Sequence, residues 1–282
     1  MLDDVVNTLK RPVLPKEHGM WVALLAPLIA GVFAVRPEDG LKPLAAILLG
    51  LSVISGAFAL EPIKLVVKSG AGVGKRRIYF WAAVYTFLAL AFIAPLVFFY
   101  DRAGLVWFAI PAVVLGGIKM WAGLARSLRT LMVELLGVAG LALSAPAASY
   151  TQTGRLTGEP VMLFILMTVW FSDRVFTARG ILDLMRSNGP TPPQEKRIET
   201  NRRQLYIHTA SLSLAALTVV FSGGLAPWTS FLPFLLATIK FRRDVRNPTL
   251  PDGPMAVGYA EMRLSSLFTV MMAAAFWWKG SF

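Results

Sequence analysis

Cysteine is absent from these 282 residues, which excludes disulfides, thiolate metal sites and cysteine nucleophiles. Histidine occurs only as His18 and His208, so a histidine metal centre has weak support. Charge is scarce too. Asp, Glu, Lys and Arg make up 16% of the chain, against roughly 25% in soluble domains. Apolar residues fill the gap, at 56% of the sequence with a mean hydropathy of +0.60. Runs of about 20 apolar residues, enough to cross about 30 Å of hydrocarbon, recur along the whole length. Such a chain is a polytopic membrane protein with no room for a sizeable soluble domain.

The spacing predicts an all-α integral membrane bundle of nine transmembrane helices, at about 19–36, 43–67, 78–100, 104–123, 129–150, 160–184, 206–224, 226–241 and 260–279. Residues 17–282 then form one transmembrane domain. Residues 1–16 place Leu2, Val5, Val6 and Leu9 at helical spacing among charges, which predicts a short amphipathic segment on the membrane surface. It is not a signal peptide, because no small-residue cleavage site and soluble mature domain follow the first apolar run.

The formal charge of +12 is a matter of sidedness. If the N-terminus is cytoplasmic, all the Lys and Arg except Arg36, Lys42, Arg102, Arg155 and Lys279 fall on the cytoplasmic side. That is the positive-inside pattern, with the C-terminus outside, and it makes nucleic acid an unneeded partner. The basic loops are also the long ones: 68–77 is glycine-rich, 185–205 is polar and 242–258 carries Pro248, Pro251 and Pro254. A site on this chain is expected to open to the cytoplasm.

Ionisable residues at membrane depth cost about 2.5–3.5 kcal/mol each on insertion scales and so mark candidate sites. Leu60-Glu61-Pro62-Ile63-Lys64-Leu65-Val66-Val67-Lys68 puts Glu61, Lys64 and Lys68 on one helical face. Two readings stand: a pocket wall whose lysines meet an anionic head group, or lysines snorkelling to the interface with Glu61 as their partner. Asp173 follows a run of apolar residues that holds only Thr168 and Ser172 as uncharged polar members; Arg174 and Arg179 come next, and Arg179 with Asp183 makes an i,i+4 pair. An interfacial ladder and a cavity shared by Asp173 and Glu61 are both open. Glu134 is a lone acid whose partners nearby in sequence are Lys119, Arg126 and Arg129. His18, ahead of the first run beside the interfacial anchor Trp21, is a candidate haem or metal ligand. Ser69-Gly70-Ala71-Gly72-Val73-Gly74-Lys75-Arg76 fails the phosphate-loop pattern at its first and last required positions.

Pro15-Lys16-Glu17-His18-Gly19-Met20-Trp21, with Glu134-Leu135-Leu136-Gly137 and Ala145-Pro146-Ala147, resembles the bacterial YwiC-like family. More distantly, nine spans and Ser144-Ala145-Pro146-Ala147-Ala148-Ser149-Tyr150 are similar to the UbiA superfamily of intramembrane prenyltransferases. That resemblance implies a cavity in which two acidic motifs, ending the second and sixth spans, hold Mg²⁺ on an isoprenyl diphosphate. The first motif's acid positions fall here on Glu61, Lys64 and Lys68, and the second's on Asp173, Phe176 and Gly180. One acid per motif is thin for two metal ions. The expectation is therefore a bacterial cytoplasmic-membrane protein, among membrane lipids, that binds an isoprenoid or quinone-type lipid near these residues. Residual Mg²⁺ is left open, and ordinary prenyl transfer is expected to be lost or altered. An active prenyltransferase, a quinone- or haem-binding respiratory partner and a proton-coupled transporter are the alternatives.

Overall fold

The computed structural model describes residues 12–13, 20–34, 40–68, 75–124, 131–186, 194–246 and 253–279. Among them the chain is all-helical, with no strand. The helices are α1 (Met20–Phe33), α2 (Pro43–Lys68), α3 (Lys75–Phe98), α4 (Val106–Leu124), α5 (Leu131–Ala142), α6 (Ser144–Thr153), α7 (Gly158–Arg186), α8 (Gln194–Phe221), α9 (Leu232–Arg246) and α10 (Pro254–Lys279). Short 3₁₀ turns at Ala103–Leu105 and Trp228–Phe231 lead into α4 and α9. Each of the nine expected segments contains helix. Six stretches are long and apolar enough to cross a membrane: Pro43–Val66, Arg76–Phe98, Ala103–Ala122, Leu131–Thr153, Gly158–Arg186 and Gln194–Phe221. The protein is a multi-pass membrane protein. The surface segment expected at 1–16 and the glycine-rich loop at 69–74 lie outside the described residues, apart from Pro12 and Val13.

Proline sets the local geometry at one position more than at the others. Pro62 removes one N–H from the second segment, and α2 continues as helix through it. At Pro146 the effect is larger. Proline has no N–H to give the Ala142 carbonyl four residues back, and the fifth expected segment divides there into α5 and α6 with a turn at Leu143. Ser144 Oγ covers part of the break by donating to the Leu141 carbonyl at 2.7 Å.

The apolar core gathers around α1, which packs on α6, α10, α5, α7 and α2. The α1–α6 contact is built from small residues: Ala26, Ala30 and Ala34 meet Ala145, and all are buried. Lipid tails are as apolar as leucine, so helices in a bilayer gain by close approach and not by leaving water. Gly31 shows how close the approach is. A Cβ at that position would sit 2.2 Å from the Ala145 carbonyl oxygen. By contrast the span at Ala103–Ala122 is only 6% buried against 44% for Leu131–Thr153 and for Gly158–Arg186. The first lies at the rim of the bundle, and the other two run through its centre.

A polar knot closes one end. Gln152, fully buried, accepts from the Lys42 N–H at 2.6 Å and donates back to the Lys42 carbonyl at 3.3 Å. Arg102 donates to the carbonyls of Thr151 and Tyr100 at 3.0 and 2.7 Å, and Gly104 N–H donates to Tyr150 Oη at 3.1 Å. Gly154 ends α6 at φ +75°, where glycine is favoured. At the same end Lys279 Nζ donates to the Leu225 carbonyl at 2.7 Å and lies 3.6 Å from Glu159.

Gly31→Val should cost about 1–3 kcal/mol of stability through overpacking against α6. Thermal unfolding in detergent would show this as a lowered midpoint, while an unchanged midpoint would refute the tight α1–α6 approach.

Candidate functional site

At 1.5 Å per residue, about 22 Å of helix carries α7 from Gly158, near the knotted end, to Asp173. The sequence there places Trp170, Asp173, Arg174 and Thr177 at offsets of three, four and seven, one face of a helix. All four are buried. α8 presents Gln204 and His208 one turn apart, and α10 presents Glu261 and Ser265 likewise. The three helices pack so that these stripes meet.

The result is a four-membered charged cluster. Arg174 Nη2 donates to Asp173 Oδ2 and lies 3.1 Å from His208 Nδ1. Its Nη1 is 3.5 Å from Glu261 Oε2. His208 Nδ1 is 2.9 Å from the Asp173 carboxylate. Asp173, Arg174 and His208 expose 3%, 7% and 2% of their surface. Glu261 is the most open member, with a side chain 19% exposed.

Aromatic rings wall the cluster. The Arg174 guanidinium lies 5.0 Å over the Trp170 ring, a cation–π contact. Trp170 stacks on Phe268 at 4.1 Å and donates through Nε1 to Ser265 Oγ at 3.2 Å. His208 lies 4.6 Å from Phe241. Thr177 Oγ1 donates to the Asp173 carbonyl, and Gln204 Nε2 donates to the Thr177 carbonyl at 3.2 Å. Within the cluster four buried polar atoms form no hydrogen bond: Arg174 Nε and His208 Nε2, and also Asp173 Oδ1 and Glu261 Oε2, which have ion contacts to His208 and Arg174. Native interiors pair nearly all such groups, so four in one cluster mark a place that can bind polar atoms.

The other expected residues have different surroundings. Lys64 Nζ bonds Glu61 Oε1 at 2.8 Å, three residues apart, with both side chains about a third exposed. That geometry is the intrahelical pairing, one of the two readings of this stretch. α2 packs chiefly on α3, whereas α7 packs chiefly on α8 and α5. Glu134 finds its partner across the bundle: Arg179 Nε and Nη2 bind its two oxygens at 2.7 Å each, a two-pronged contact between α5 and α7. Of its neighbours in sequence, Lys119 places Nζ 3.5 Å from where a Gly137 Cβ would be, and Arg126 and Arg129 lie outside the described residues. His18 and the Lys68 side chain also lie outside them. Asp183 is 3.9 Å from Arg186.

The residues do not fit the Mg²⁺ pair implied by the prenyltransferase resemblance. The Asp173 carboxylate is engaged by Arg174 and His208. Gly180, at a motif position, is where α8 comes closest: a Cβ there would sit 2.3 Å from Gln204 Nε2. Among the described residues no group of three or more His, Asp and Glu is disposed to hold a metal ion.

Sequence reasoning reached Asp173, Arg174 and the Glu134–Arg179 pair's two members, but it left Glu261 unflagged and counted His208 only as a second histidine. A signal for both was present. Each is an ionisable residue within a segment read as a span, which is itself the criterion for a candidate site. What the sequence lacks is any statement that residues 173, 208 and 261 share one depth.

Residues 14–149 match the family described as YwiC-like protein. The chain is also similar to the uncharacterized protein YwiC of Bacillus subtilis (strain 168). The two are 23% identical over 172 residues, covering 61% of this chain and 68% of that one. No solved structure matches. The family resemblance read from the sequence is thus borne out for that segment, which holds Glu61, Lys64, Lys68 and Glu134 and ends before Asp173.

Arg174→Met would leave Asp173 and Glu261 buried without their cation. Breaking a buried pair in this way costs about 3–5 kcal/mol. The expected readout is a strongly lowered unfolding midpoint or lost expression, and wild-type stability would show that the cluster is not formed.

Proposed function

We propose that this YwiC-like chain is a nine-span protein of the bacterial cytoplasmic membrane that binds the polar head of an isoprenoid or quinone-type lipid. The N-terminus is cytoplasmic and the C-terminus outside, in keeping with the bias of Lys and Arg to one side. The fold is UbiA-like in this reading, and ordinary Mg²⁺-dependent prenyl transfer is absent because both acidic motifs are degenerate. The observation that carries the reading is the set of four buried polar atoms without a hydrogen bond at Asp173, Arg174, His208 and Glu261, walled by Trp170 and Phe241. A lipid head supplies the missing hydrogen bonds, and its tail lies among apolar helices that border the bilayer.

The other candidates fit as surroundings of that site. Helix lengths of about 22 Å to Asp173 and about 27–31 Å to Glu61, Glu134 and Arg179, counted from the knotted end, are in keeping with this reading. In this reading Glu61 and Lys64 contribute a charged rim, and the Glu134–Arg179 bridge holds α5 against α7. Native mass spectrometry of gently extracted protein should show one isoprenoid or quinone-type lipid per chain, diminished in Arg174→Gln. Protein that carries only bulk phospholipid would end this reading.

A proton-coupled transporter is the second reading, favoured by one observation: the ionisable groups of Asp173, His208 and Glu261 lie within helices of the bundle, the first two in contact and the third joined to them through Arg174. In proteoliposomes it predicts a flux driven by a pH gradient and abolished by Glu261→Gln. A flux of equal size in that variant would exclude the cluster from coupling.

A further inference from the structure

We infer that the Asp173–Arg174–His208–Glu261 cluster selects a lipid head carrying an uncharged hydroxyl, the group shared by a prenyl alcohol and a quinol, and refuses a diphosphate. This deepens the lipid-binding reading and rests on it. The charge count comes first. The cluster contains two carboxylates and one guanidinium, so with His208 neutral its formal charge is −1. One added proton on His208 or on a carboxylate brings the sum only to zero. Arg174, the single full-time cation, is already shared between Asp173 and Glu261. A diphosphate needs surplus positive charge at this depth, and the site holds none.

Among the described residues the charged groups nearest the cluster do not change this result. Lys240 on α9 acts on Glu261 from a distance, but its Nζ is bound to Asp244 four residues on. Arg179 on α7 is held by Glu134 of α5. The described part of α1, which packs on both α7 and α10, contains no ionisable side chain.

The hydrogen-bonding capacity that remains is of mixed kind. Arg174 Nε–H is a donor, Asp173 Oδ1 and Glu261 Oε2 are acceptors that keep lone pairs beside their ion contacts to His208 and Arg174, and His208 Nε2 is either one according to its proton. A hydroxyl donates once and accepts through its lone pairs, so it can serve a carboxylate oxygen and an N–H together. A diphosphate only accepts, and would bring its charge against two carboxylates. The approach is from the Glu261 side, the most open member of the cluster.

Competition binding on the full-length protein in lipid nanodiscs tests this, read through tryptophan fluorescence because Trp170 borders the site. Farnesol and a short-chain quinol are tried separately and show which hydroxyl source is preferred. Farnesyl diphosphate and inorganic pyrophosphate are the charged arms. Saturable binding of either alcohol is expected, with no competition from the diphosphates up to a hundredfold excess. Glu261→Gln should weaken alcohol binding at least tenfold. The double variant Asp173→Asn/Glu261→Gln, which leaves Arg174 uncompensated, should acquire farnesyl diphosphate binding, a gain that misfolding cannot mimic. Farnesyl diphosphate binding to the wild type more tightly than the alcohols would overturn the inference and leave lipid binding standing. No binding by any of these ligands would remove both.

Discussion

Arg174 is the constraint on which the candidate site depends, because one guanidinium reaches carboxylates on two different helices. An isolated buried carboxylate is costly enough to unfold a marginal protein, and here Asp173 and Glu261 share one guanidinium. That sharing fixes α7 and α10 relative to each other, since a step of one residue along either helix turns the side chain about 100° away. His208 adds α8 to the same constraint through its contact with Asp173. Packing on Trp170 and Phe268 then completes a core that is polar at its centre and aromatic around it.

The rest of the bundle is held by different means. α1 reaches α6 by way of residues too small to keep the backbones apart, with Gly31 directly over the Ala145 carbonyl. Ser149 Oγ, donating to the Ala34 carbonyl at 3.3 Å, is one of the few polar contacts in that interface. Pro146 interrupts the central span beside this contact, so this close helix pair includes a half-helix. The interruption is tolerated because Ser144 supplies a donor at the break and the neighbouring helices bury it.

Much of this was legible in the sequence. Apolar runs of membrane-crossing length gave the helical segments, and an acid or base inside such a run gave Asp173, Arg174 and Glu134 as candidates. Pairings were not legible. Arg179 was read beside Asp183, four residues on, yet its two-pronged contact is with Glu134, 45 positions away. Helical periodicity says which residues share a face of one helix, but it is silent on which face of another helix lies opposite. Glu261 was missed for the same reason: alone at the head of an apolar segment it resembles an ordinary interfacial acid, and only α7 gives it a partner. The break at Pro146 illustrates a local rule with an uncertain outcome, because Pro62 sits in an equally apolar helix and leaves it unbroken.

The hydrogen bonds of Gln152 and Arg102 are made almost wholly to backbone groups, which do not titrate. The cluster on α7, α8 and α10 is made of ionisable side chains that face one another. The two sets of contacts therefore answer to different disturbances. A change of acidity or of ionic surroundings acts on the contacts of Asp173 and Glu261, while the backbone hydrogen bonds of Gln152 and Arg102 are indifferent to it. Any rearrangement that a ligand or a proton sets off at one end would have a fixed fulcrum at the other.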